Sequence, residues 1–130
     1  MGRLQGKSVL LVEGEPIVAM LVEDMLAGLG AQVVGPAAQV GEAIELAQKA
    51  RIDVAVLDVK LGGDSSAKVA EELRRRGIPY VLATGFDNPL GHHGNNVPLL
   101  QKPYLQEDLE RALLRALYGD SHSPAMAAHG

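Results

Sequence analysis

The chain contains no cysteine and no tryptophan, and its aromatic residues are one phenylalanine and three tyrosines. Without thiols there is no disulfide, no thiolate metal site and no cysteine nucleophile. With so few rings there is little on which nucleobases could stack. Positive charge is also scarce: 12 Lys and Arg stand against 16 Asp and Glu, a formal net charge of −4. That balance supplies no basic stripe, so nucleic acid is excluded as a general partner. Long apolar runs are missing too. Val9-Leu10-Leu11-Val12 stops at Glu13, too short for a membrane span or a signal sequence. Met1-Gly2 is followed by Gly6 where a myristoylation signal needs Ser or Thr. These absences describe a soluble, cytoplasmic protein with no membrane partner.

What is present suffices for one domain. The 130 residues are 47% hydrophobic and 22% charged, a composition that buries a core. Short β-branched runs at Ser8–Val12, Gln32–Val34, Val54–Leu57, Tyr80–Ala83 and Leu99–Gln101 are nearly continuous in apolar character. Such runs read as strands covered on both faces. Between them lie helical patterns. Pro16–Leu29 opens with a proline suited to a first helical turn. Its residues Ile17, Met20, Leu21, Met25 and Leu29 recur at spacings of three and four, so these positions, both methionines included, are expected in the core. Val40–Lys49, Ser66–Arg76 and Leu105–Tyr118 repeat the pattern, the last two ending before Gly77 and Gly119. The alternation predicts an α/β fold, an open, doubly wound parallel sheet of five strands with helices on both faces.

One segment breaks the rhythm. Residues 86–98 carry two Pro, two Gly, three Asn and no apolar stripe where a fourth helix is due. Each Gly costs a helix roughly 1 kcal/mol relative to Ala, and each Pro about 3. The expectation is a mobile loop or a single helical turn. The small, polar residues 119–130 are expected to form a disordered tail after a domain spanning 1–118.

Ligands of open parallel sheets bind beyond the carboxyl ends of the strands. There the sequence places Glu13, Gly14 and Glu15 after the first strand, Asp58 after the third, Thr84 after the fourth and Lys102 after the fifth. Acids, a hydroxyl and an ammonium thus converge on one edge. That set suits phosphoryl transfer to a carboxylate. Asp58 is the candidate nucleophile, and Lys102 and Thr84 are candidates to neutralise and hydrogen-bond the phosphoryl oxygens. A divalent cation held by acids near Asp58 would supply further charge.

These residues lie in segments that resemble the receiver domain of two-component response regulators. The resemblance covers roughly Lys7 to Tyr118. It is carried by Val9-Leu10-Leu11-Val12-Glu13 with Glu15-Pro16, Leu57-Asp58-Val59, Ala83-Thr84-Gly85 and Lys102-Pro103-Tyr104. Leu82-Ala83-Thr84-Gly85-Phe86 is similar to the Phe-Ala-Thr-Gly-Tyr signature of the FAT GUY receivers, often single-domain proteins. The resemblance implies a flavodoxin-like sheet of order 2-1-3-4-5 and a phosphoacceptor at Asp58. It implies phosphoryl contacts from Thr84 and Lys102, and a cis Lys102-Pro103 peptide. It also implies Mg²⁺ held by Glu13, Asp58 and the Lys60 carbonyl, and a sensor histidine kinase partner of the HWE or HisKA2 type. With no effector domain after Tyr118, output is expected through an unknown downstream protein.

Three departures qualify that picture. Most such receivers carry two consecutive acids after the first strand, the second ligating the metal. Here the pair is Glu13-Gly14, so metal binding is expected to be weak. Lys60, two residues past Asp58, brings an ammonium toward the pocket that partly replaces the missing cation charge; beside that stands its reading as a solvated surface lysine. Leu99 replaces the usual Tyr or Phe switch residue. That leaves loop 86–98, with Phe86 as a moving aromatic, as the candidate to carry the signal, beside its reading as a passive linker.

Other conspicuous residues read as structural. His92-His93 is a loop tip, since adjacent histidines share no face and no third ligand is fixed nearby. Arg74-Arg75-Arg76 complements a helix C-terminus. Gly62-Gly63-Asp64-Ser65-Ser66 is a flexible turn flanking Asp58, with Ser65 or Ser66 capping the next helix. Two other functions compete with a phosphorylated receiver: a pseudo-receiver that binds partners without phosphorylation, supported by Gly14, and a small enzyme on the same sheet. Against the enzyme stand the missing Gly-rich cofactor fingerprint and the scarcity of aromatics.

Overall fold

The computed structural model describes residues 3–85 and 97–119. Strands β1 (Ser8–Val12), β2 (Gln32–Ala37) and β3 (Val54–Asp58) lead into a short pair, β4 (Lys60–Leu61) and β5 (Asp64–Ser65). Then come β6 (Tyr80–Thr84) and β7 (Leu99–Gln101). The described helices are α1 (Pro16–Gly28), α2 (Val40–Lys49), α3 (Ala67–Arg75) and α4 (Gln106–Tyr118). The main sheet is parallel throughout and ordered β2-β1-β3-β6-β7. This is the expected flavodoxin-like order, with β6 and β7 as its fourth and fifth strands. The weak fourth helix or loop expected over 86–98 and the tail beyond Gly119 fall almost wholly outside the described residues.

Strand residues alternate between two cores. Val9, Leu11, Val54, Val56, Val81 and Ala83 pack with α1 and α4. Leu10, Val12, Ala55, Leu57, Tyr80 and Leu82 pack with α2 and α3. Because both faces are covered, β1, β3 and β6 are buried at every position, which explains their unbroken apolar texture.

The structure corrects three readings. First, α1 buries Ala19, Val22 and Leu26, while Ile17, Met20 and Leu21 are 75%, 63% and 55% exposed. Leu29 is buried and Met25 half-buried as expected. The helix is apolar almost all round, so periodicity alone does not select a face. The buried stripe is the one no charge interrupts, whereas Asp24 continues the stripe of Ile17, Met20 and Leu21. Second, β2 runs on to Ala37 through a cis Gly35-Pro36 peptide and an irregularity in its pairing with β1. A proline is tolerated because β2 is an edge strand. Gly35 has φ +97, and a Cβ there would come within 2.8 Å of the Ala37 nitrogen. Third, Gly62-Gly63 closes an antiparallel hairpin, with Leu61 opposite Asp64 and Lys60 opposite Ser65. Both glycines have positive φ, 55 and 92, the conformation two-residue hairpin turns require. Of the two expected caps, Ser65 Oγ accepts the N–H of Ala67, the first residue of α3, at 3.1 Å, while Ser66 makes no side-chain cap. Its hydroxyl donates instead to the Val59 carbonyl at 3.0 Å.

Two alanine substitutions separate the faces of α1. Leu26→Ala should lower stability by about 2–5 kcal/mol, whereas Met20→Ala should stay within about 0.5 kcal/mol of the parent, both read by urea denaturation.

Candidate functional site

The register of the sheet aligns the strand ends. Val12 pairs with Leu57, Asp58 with Ala83 and Thr84 with Gln101. Pairing continues just past the strands: Glu13 N–H donates to the Ala37 carbonyl at 3.0 Å and Lys102 N–H to the Thr84 carbonyl at 2.8 Å. Four polar residues separated by up to 89 positions are thereby fixed along one edge.

Three of them form a buried ionic cluster. Lys102 Nζ donates to Glu13 Oε1 at 3.0 Å and to Asp58 Oδ2 at 3.1 Å. The side chains of Glu13, Asp58 and Lys102 are only 3%, 11% and 17% exposed. Glu13 is held at both ends, because its Oε2 accepts the Glu15 N–H at 3.1 Å. Glu13 therefore turns inward, onto Lys102. Lys102-Pro103 is cis. Thr84 is buried at the end of β6, and its hydroxyl donates to the Gly85 carbonyl at 3.4 Å. Leu99 is 37% exposed on the edge strand β7. Phe86 and His92-His93 lie outside the described residues.

A cleft of about 590 Å³ opens over the cluster, with Gly14, Asp58, Lys60 and Lys102 in its wall and Val22 and Met25 of α1 on the apolar side. Glu15 is exposed on the rim. The apolar wall comes from α1 residues that the sequence pattern assigned only to packing, and no motif marks it.

The electrostatics follow from burial. The Asp58 carboxyl is pushed up from 3.8 to about 6, first by loss of solvent and then by the charge of Glu13, with Lys102 opposing. Burial alone would lower Lys102. Its hydrogen bond to Glu13 and the charge of Asp58 outweigh that and raise it above an ordinary lysine. Burial, with the charges of Glu13 and Asp58, also holds the Tyr104 phenol well above its usual range.

The donor set can be tested against a divalent ion. Mg²⁺ requires near-octahedral oxygen coordination. Gly14 offers no side chain, and both oxygens of Glu13 already accept hydrogen bonds. Asp58 Oδ2 is likewise engaged, by Lys102. In the hairpin, Ser66 N–H bonds the Val59 carbonyl at 3.0 Å, so ladder alternation turns the Lys60 carbonyl away from β5. No cluster of three or more acidic, His or Cys side chains suited to a metal occurs among the described residues. These donors do not fit a tightly held Mg²⁺.

Comparison with known proteins agrees with the fold. The chain is 26% identical over 126 residues to the phyllosphere-induced regulator PhyR of Methylorubrum extorquens, covering 93% of this chain and 47% of that one. It therefore spans about half the length of that curated relative. It is 39% identical to SdrG of Sphingomonas melonis, with a TM-score of 0.75 over 90% of this chain and 98% of that one; SdrG has also been solved in a BeF3-activated conformation. The receiver domain of a sensor histidine kinase from Pseudomonas aeruginosa is 28% identical, with a TM-score of 0.73 over 86% of this chain and 98% of that one. It was solved with a magnesium ion coordinated in its active-site cleft.

The raised carboxyl sets a pH dependence. Since the folded value of Asp58 lies above its unfolded one, the stabilisation from its protonated form is full below about pH 4 and lost as pH rises through about 6. In metal-free buffer near neutrality, Asp58→Asn should therefore be more stable than the parent by on the order of 2 kcal/mol. The difference should vanish near pH 4 in denaturation curves.

Residues 9–113, nearly the whole described chain, match the family described as the response regulator receiver domain, and the chain belongs to that family of signalling modules rather than turnover enzymes.

Proposed function

We propose that this receiver accepts a phosphoryl group on Asp58 from the phosphohistidine of a sensor histidine kinase and signals by binding a downstream protein. The observation that carries this reading is the contact of Asp58 Oδ2 with Lys102 Nζ at 3.1 Å in a buried cluster at the sheet's carboxyl edge. An Asp58 oxygen attacks phosphorus, the P–N bond breaks, and its electron pair leaves on the histidine nitrogen, which takes up a proton. Charge on the equatorial oxygens is met by Lys102, already oriented, and by the Thr84 hydroxyl once it turns from Gly85.

Mg²⁺, where it binds, adds positive charge beside the incoming phosphoryl group. In this chain Asp58 and the Lys60 carbonyl would hold it, only weakly, and Glu13 could join them only on release from Lys102. The FAT GUY-like segment 82–86 favours a kinase of the HWE or HisKA2 type. Output passes through surface changes that start at the site, since Leu99 supplies no aromatic switch. A receiver that works without phosphorylation is the second reading, and Gly14 is what favours it.

Phosphotransfer from a histidine kinase decides between them. Intact protein should gain the mass of one phosphoryl group and Asp58→Ala none; equal labelling of both, or of neither, overturns the proposal.

A further inference from the structure

The cleft wall holds a second cation whose position complements the thin set of metal donors. We infer that the Lys60 ammonium is a built-in substitute for the divalent ion, so that this site holds a phosphoryl-like anion on Asp58 without a metal. The inference rests on the reading of Asp58 as phosphoryl acceptor.

Placement is the first support. Lys60 lies two residues beyond Asp58, a span of at most about 7 Å between Cα atoms, and both residues line the same cleft. The backbone that carries Lys60 is fixed. Val59 N–H donates to the Ala83 carbonyl at 2.9 Å, and the Val59 carbonyl accepts both the backbone N–H and the hydroxyl of Ser66, each at 3.0 Å. The Gly62-Gly63 turn then folds β5 back onto β4. From this anchor a four-carbon stem can swing its charge over the Asp58 carboxylate.

Charge supplies the second support. Lys102 divides its one charge between Glu13 and Asp58, so the cluster is already negative before a phosphoryl dianion arrives. Relative to an acid at 14 and a neutral side chain at 60, glycine and lysine add two positive charges, as many as a divalent ion carries. Space supplies the third. A Cβ on Gly14 would meet only ordinary contacts, at 3.6 Å from the Ala38 carbonyl oxygen and the Gly62 nitrogen and 3.8 Å from Leu61. Its φ is not among the positive values that demand glycine. Neither crowding nor backbone conformation therefore excludes a carboxylate at position 14.

The test follows beryllofluoride binding by ¹⁹F NMR, in excess EDTA and in Mg²⁺, for the parent, Lys60→Ala, Gly14→Asp and Asp58→Ala. Circular dichroism controls for folding. The parent should form the adduct in EDTA, and Lys60→Ala should weaken it there by about tenfold, the weight of one charge-assisted hydrogen bond. Gly14→Asp should make binding depend on Mg²⁺ and should tighten Mg²⁺ itself. A parent that binds only with Mg²⁺, or a Lys60→Ala protein that matches the parent in EDTA, overturns the inference and leaves phosphorylation of Asp58 standing. No adduct under either condition, together with no phosphotransfer, overturns both.

Discussion

One lysine holds the site together. Glu13 and Asp58 end neighbouring strands and are both removed from solvent, an arrangement that two carboxylates alone would not tolerate. Lys102 makes it possible by donating to both. Taking three ionisable groups out of water costs several kcal/mol each, and the cluster is tolerable only because the hydrogen bonds are short and the partners fixed. Removing Lys102 would leave two buried charges facing each other, which typically costs about 3–5 kcal/mol. The same tension raises Asp58 to about 6. The carboxylate is thus ionised at neutral pH yet held at higher energy than in water.

The parallel sheet turns this local chemistry into a consequence of topology. In a parallel sheet, all carboxyl ends lie on one edge, so each strand can deliver one functional group to a common cleft. The backbone bonds from Glu13 to Ala37 and from Lys102 to Thr84 carry the order of the sheet one residue beyond its strands. The side chains that need accurate placement therefore sit on the last strand residue, as Asp58 and Thr84 do, or on the first residue beyond it, as Glu13 and Lys102 do, where the backbone is still constrained.

Much of this was legible in the sequence. Continuous apolar runs marked the main strands because those strands are covered on both faces. The convergence of Glu13, Asp58, Thr84 and Lys102 followed from asking what comes directly after each run. The packing face of α1 was not legible from periodicity, since Ile17, Met20 and Leu21 form as regular a stripe as Ala19, Val22 and Leu26. Asp24, on the exposed stripe, was the available clue. The β4–β5 hairpin was visible as Gly62-Gly63 but reads equally as a loose turn, because its strands are two residues long and carry no alternation. The partnership of Glu13 with Lys102 had no local signal at all, since 89 residues separate the two.

The hairpin and the glycine at 14 gain meaning only together. Gly14 alone would describe a receiver that has lost part of its metal site. Lys60 alone would describe an exposed lysine on a short strand. Both line one cleft with Asp58 and Lys102, and a fixed ammonium differs from a bound ion in a physical way. It cannot dissociate, it carries one charge where the ion carries two, and its donors are directional. Such a site would respond little to the concentration of free divalent ions. Its stem keeps conformational freedom that must be given up on binding, so its hold on a phosphoryl group would be weaker than that of a well-ligated metal. Loss of the phosphoryl group passes through the same kind of charge-spread transition state as its arrival, so weaker neutralisation would slow both steps and lengthen the signal.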